Sequence, residues 1–188
     1  MDIAESATWL EGLFDGDMEL HESQHEKAAT PVLATFQHDD VVICATVGFN
    51  EVDTGLESAG MDVRCELVTQ TRASKSEAMR LLDAATQMLV RSNGVLTAQP
   101  GTLLPGVGDV IDLPEHITVR HGLLMSPFQW GPQVPQVIED DRWTLLLQLL
   151  MLTEEEFHYC VTYGPEELLE EMAHSTIDLS DWSRVLEY

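Results

Sequence analysis

Positive charge is scarce in this 188-residue chain, where 9 Lys and Arg stand against 33 Asp and Glu for a formal net charge of -24. Binding to a nucleic-acid backbone is therefore not expected, because it runs on clustered cations that release counterions. Cysteine is sparse too. Cys44, Cys65 and Cys160 are odd in number, widely spaced and without a Cys-x-x-Cys pair, which argues against a disulfide framework and for buried, reduced thiols in a cytoplasmic chain. Long apolar runs are missing. The longest, 145–152, is broken by Gln148 and is far short of a bilayer span. The stretch from Met1 to Ser6 lacks the basic and apolar regions of a secretory signal, so neither export nor membrane insertion is expected.

What is present is enough apolar sequence for a core, 44% of residues, with 22% charged. Trp9, Leu10, Leu13 and Phe14 recur at helical spacing after Ser6, which predicts a short helix over 6–15 capped by Ser6. Two strands follow, 32–36 and 41–47, flanking the polar turn 37–40, and the second is apolar on both faces as in a central strand. Residues 49–60 are rich in turn formers and read as a loop. Period two then predicts a strand with Met61, Val63, Cys65 and Leu67 against a core and Asp62, Arg64 and Glu66 on an open face. Ser74 with Glu77 forms a capping box for a helix through Ser92, stopped by Asn93-Gly94. The segment 95–120 reads as irregular but buried through its leucines and valines. Strands are expected at 122–126 and 143–152. Thr153 with Glu156 opens another helix, and Pro165 a last one through about Ala173. No repeat or composition break appears, so a single domain is expected over 1–188.

His21-Glu22-Ser23-Gln24-His25 spells H-E-x-x-H, in which one helical turn aims two imidazoles at zinc while the Glu serves as general base. On that reading the protein is a zinc-dependent hydrolase with His21 and His25 as metal ligands. Period two fits the same stretch: Met18, Leu20 and Glu22 opposite Glu19, His21 and Ser23 make an edge strand. The charged Glu26 and Lys27 that follow the second His weigh against the zinc helix. His158-Tyr159-Cys160 points its His and Cys to different helix faces. Gly106-Val107-Gly108 lacks the rest of a dinucleotide fingerprint. The acidic blocks 154–156 and 166–171 contain no calcium loop and read as solvated helix faces. No catalytic site, metal or cofactor is assigned from these motifs.

The order of segments resembles the suppressor-of-fused domain family, and in particular its bacterial single-domain members. The residues that carry the resemblance are 46–50 at the end of a buried strand, 64–68 on the next, the helix 74–92, and 100–106. Further along they are His121-Gly122-Leu123-Leu124 with Pro127 and Trp130, then 147–156 with Tyr159 and Gly164. The matching core runs roughly over 30–175. The fold so implied is α/β (α+β), a mixed and largely antiparallel sheet flanked by helices. The function so implied is protein binding without chemistry, as an immunity-type or regulatory partner of another protein, a toxin being one such partner. An exposed sheet edge suits that task, because it captures an extended segment through backbone hydrogen bonds. The acidic surface favours encounter with a basic partner and serves solubility equally. A third expectation is an acidic DNA mimic, which requires carboxylates spaced like phosphates. The contact residues expected are Asn50, Glu51, Asp53, Trp130 and the outward Arg64 and Glu66. Their competing account is cross-strand pairing for Arg64 and Glu66, and packing for Trp130.

Overall fold

A computed structural model describes residues 1–22 and 31–185. Two eleven-residue strands, β5 (Met61–Thr71) and β9 (Arg142–Leu152), lie parallel at its centre, with Cys65 level with Leu145 and Leu67 with Leu147. β9 is apolar on both faces over most of its length, the pattern of a strand covered on each side, whereas β5 alternates apolar with polar residues. Around them β1 (Glu19–His21), β2 (Val32–His38), β3 (Val41–Val47), β6 (Leu103–Leu104) and β7 (His121–Met125) complete the order β1-β2-β3-β5-β9-β7-β6. Two short strands lie off this path. β4 (Leu56–Ser58) pairs with the first residues of β5, and β8 (Gln136–Ile138) with the first residues of β9. Every pairing except β5 with β9 is antiparallel, which is the mixed, largely antiparallel sheet expected.

One face of the sheet is covered by α2 (Lys75–Ser92) and the 95–119 segment, whose Leu104, Val107, Ile117 and Val119 are all fully buried. That face takes Cys65 and Leu67 from β5 and Leu147, Leu149 and Met151 from β9. The other face is shared. At one end α1 (Ile3–Glu11) sets Leu10 and, just beyond its end, Phe14 on Phe36, Ala45, Val68 and Leu146; at the other, α3 (Glu154–Tyr163) and α4 (Pro165–His174) cover Leu123, Leu150 and Leu152. A strap follows α4, its Ser180 and Trp182 carbonyls accepting the Arg72 and Thr118 N–H groups. Its Trp182 is buried in the α2-side core, and Arg184 forks onto Glu156 at 2.8 and 2.7 Å.

Both expected capping boxes form, on Ser74 with Glu77 and on Thr153 with Glu156. The first helix differs. It runs over Ile3–Glu11 because Asp2 and Glu5 make their own reciprocal box, and Ser6, expected as the cap, is a buried residue of the first turn. The 49–60 loop contains β4, closed onto β5 by the two-residue turn Ala59-Gly60 with φ of 52° and 78°, a left-handed pair that suits a tight hairpin. The zinc-helix reading of 21–25 is corrected over its first residue. Glu19–His21 is an edge strand paired with β2, and the His21 ring sits 2.8 Å from the Thr35 hydroxyl. His25 lies outside the described residues.

Candidate functional site

β3 leaves β5 at Ala45, which pairs with Val68, whereas β4 joins β5 only at Val63. Between them the middle of β5 has no strand partner on the side away from β9, and the chain turns away through Gly48 and a single 3-10 turn, Phe49–Glu51. Gly48 has φ of 91°, and a Cβ there would meet Ile3 Cγ1 at 3.0 Å, so both backbone and packing call for glycine.

Glu66 fills this gap. Its Oε1 accepts from the Ser6 hydroxyl at 2.6 Å, the Gly48 N–H at 2.8 Å and the Asn50 amide at 2.6 Å, with the Asn50 N–H more distant at 3.4 Å. Its Oε2 accepts from the Thr46 hydroxyl at 2.6 Å and the Phe49 N–H at 3.1 Å. Thr46 in turn accepts the Leu67 N–H, which replaces the lost strand bond. The carboxyl is fully buried and no cation touches it among the described residues. Burial pushes Glu66 above the usual carboxylate range, while the hydrogen bonds from Ser6, Thr46, Asn50 and the Gly48 N–H pull it back.

This overturns the expected orientation of two residues. Glu66 is expected on an open face and Asn50 as a contact residue of a loop, yet both are 0% exposed and hydrogen-bonded to each other. The alternation along β5 is right; the face is not open, because α1 and the 48–54 segment lie over it. Arg64, also expected outward, keeps only 10% of its side chain exposed and grips Asp62 at 2.6 and 2.7 Å, with Asp53 at 3.9 Å. Its Nη1 is buried without a partner, as is Asn50 Oδ1. Glu51 and Asp53 are exposed. Trp130 is half-buried and stands edge-on to Phe14 at 5.6 Å, so it packs against the α1-side core some way from this loop.

Glu51 and Asp53 on the loop and Glu57 on β4 are exposed; Glu66 holds the start of the loop from beneath, and pairing with β5 holds β4. Ser6 and Thr46 also belong to this arrangement, and sequence reasoning missed both. The only signal was polar residues at positions that period two and helical spacing assign to buried faces.

A second feature lies beside β8. Leu146 donates to the Pro135 carbonyl at 3.0 Å and Glu139 to the Arg142 carbonyl at 2.8 Å. Antiparallel alternation then aims the N–H and C=O of Gln136 and Ile138 away from β9, into an edge that no strand among the described residues pairs. On the α2 side of this edge a cleft of about 740 Å³ is walled by Trp143, Leu145, Leu147, Val134 and Pro100.

Elsewhere, the His121 ring is stacked on Phe157 at 4.0 Å, accepts the Gly106 N–H through Nδ1 and lies 2.8 Å from Glu154 through Nε2, so both ring nitrogens are engaged. His158 reaches the other oxygen of Glu154 at 3.0 Å. No group of three or more His, Cys, Asp or Glu among the described residues is placed to hold a metal ion. No helix among them is long and apolar enough to cross a membrane.

A family model described as suppressor of fused protein matches residues 31–185. No curated protein matches. Among solved structures, a suppressor of fused homolog from Neisseria gonorrhoeae superposes with a TM-score of 0.71 at 17% identity, over 98% of this chain and 97% of that one. The Sufu–Fu complex gives a TM-score of 0.64 at 8% identity, over 98% and 89%. Drosophila Suppressor of Fused gives 0.61 at 10% identity over 85% of this chain, which spans 44% of that longer one.

Proposed function

The chain belongs to the suppressor of fused protein family, and on that premise we propose that it is a non-enzymatic, cytoplasmic protein-binding domain, an immunity-type or regulatory partner of a basic protein. The observation that carries this reading is the Glu66 knot. Taking a carboxylate out of water costs several kcal/mol in a protein interior, and no cation offsets it here. Its acceptor capacity goes to the N–H groups of Gly48, Phe49 and Asn50, the backbone of one surface loop. A fold that needed only stability would fill this position with an apolar side chain; holding a loop in one conformation is what binding requires. The loop presents Glu51 and Asp53 beside the outer edge of β4, where Glu57 is also exposed. Three carboxylates next to a strand edge suit a basic, extended segment.

The related Sufu–Fu structure is itself a complex, which supports binding as the mode of action. The test is affinity capture from the native lysate, comparing the wild type with Glu51→Lys/Asp53→Lys by quantitative mass spectrometry. A protein retained by the wild type and depleted severalfold by the variant supports the reading. An identical set of captured proteins overturns it.

A further inference from the structure

We propose that a small pocket on the α1 side of the sheet takes the side chain of a single arginine of the basic partner. The inference rests on the protein-binding reading and adds to it a site that the Glu51 and Asp53 surface does not include. The pocket is lined by His38 and Ile43 from the β2–β3 hairpin, by Leu13, Phe14 and Asp15 from the stretch after α1, and by Gln129 and Trp130 from the 3-10 turn Phe128–Trp130. Its sides are fixed in advance. Gly16, with φ of 104°, turns the chain where a Cβ would come within 2.9 Å of the Gln37 carbonyl oxygen, so the 13–15 stretch is anchored against the end of β2. The 128–130 turn is held from the sheet, where the Gln148 side chain accepts the Phe128 N–H at 3.2 Å and the Gln70 amide donates to Gln129 Oε1 at 3.0 Å. A site formed before its guest arrives avoids the cost of ordering it on binding.

The lining decides the chemistry. At about 240 Å³ the pocket is smaller than the roughly 300–1,000 Å³ clefts that hold drug-sized ligands, so it has room for one side chain rather than a cofactor. No Lys or Arg lines it. Asp15 is exposed and pairs with no cation among the described residues, and Arg72, which reaches the adjoining turn at Asp40, is held by Asp178 as well. An unpaired carboxylate in one pocket with a half-buried indole favours a cation, since the ring face attracts positive charge and the carboxylate neutralises it. Arginine suits both groups. Its flat guanidinium stacks on an aromatic ring and offers a carboxylate two parallel N–H donors, whereas the ammonium of lysine is a compact, strongly hydrated charge. A second copy of this chain fits poorly, because its surface carries the same acidic excess, a net -24.

The test titrates the whole protein with N-acetyl-arginine methylamide, and separately with its citrulline and lysine analogues, following the Trp130 indole N–H and the Ile43 methyl groups by NMR. Citrulline keeps the shape and removes the charge. The arginine compound is expected to saturate in the millimolar range, to shift both signals and to bind about fivefold more tightly than either analogue. Asp15→Asn, at an exposed position, is expected to bring arginine down to the level of citrulline without altering the melting curve. Equal binding of arginine and either analogue, an unmoved Trp130 signal, or full affinity in Asp15→Asn overturns the inference. Self-association that Asp15→Asn abolishes would give the pocket to a second copy and overturn it too. If capture from the lysate depends on Glu51 and Asp53 while the arginine compound leaves Trp130 unmoved, the pocket fails and the binding reading stands.

Discussion

Replacing Glu66 with Gln conserves shape and burial and removes only the symmetry of the acceptor. In the wild type each carboxylate oxygen takes a backbone N–H, Gly48 on Oε1 and Phe49 on Oε2. A glutamine has one carbonyl oxygen. Whichever way its amide is turned, an NH2 group opposes one of those N–H donors and leaves it buried and unpaired. The hydroxyls of Ser6 and Thr46 can rotate to accept instead, but the backbone cannot. One unsatisfied buried donor plus the loss of charge-assisted bonds gives a destabilisation of about 2–4 kcal/mol, after allowing for the relief of burying a charge. For a domain of this size that lowers Tm by about 5–15 °C. Urea unfolding followed by tryptophan fluorescence measures it. A change within about 0.5 kcal/mol, the scatter of ordinary surface substitutions, would refute the claim that these hydrogen bonds hold the loop.

The same pair of proteins gives a pH test. Burial raises Glu66 in the folded state, so its contribution is fully present below the unfolded value of about 4.3 and is lost as pH rises through the folded value. The stability gap between wild type and Glu66→Gln should therefore narrow on going from about pH 4 upward, and a gap that widens contradicts the assigned direction. Arg184→Ala strands the buried Glu156 and should cost about 3–5 kcal/mol in urea unfolding. Gly122→Ala brings a Cβ to 2.8 Å from Leu149 Cδ1 and should cost about 1–3 kcal/mol, read from the thermal midpoint. Burial pushes the Cys44, Cys65 and Cys160 thiols up, so Ellman's reagent should label them only as fast as the protein opens.

Local signals in the sequence led to most of the elements. Ser74 with Glu77 and Thr153 with Glu156 marked helix starts because the capping box is satisfied within four residues and needs no tertiary partner. The alternation of Met61, Val63 and Cys65 marked β5 for the same reason. What escaped was decided by long-range packing. Glu66 reads as a solvent-facing residue until α1, sixty positions earlier, is laid over it through Ser6. Strands β4 and β8 are three residues each and exist because β5 and β9 extend past their longer neighbours. The H-E-x-x-H pattern shows the converse: a spacing meaningful only on a helix, carried by residues of which the first belongs to a strand.

The most direct measurement is backbone hydrogen exchange on the protein with and without its captured partner. The account predicts slowed exchange at Glu51, Asp53 and Glu57, along the loop that Glu66 holds and the edge of β4. Protection confined to the α3 and α4 surface, or none at all in a verified complex, would contradict it.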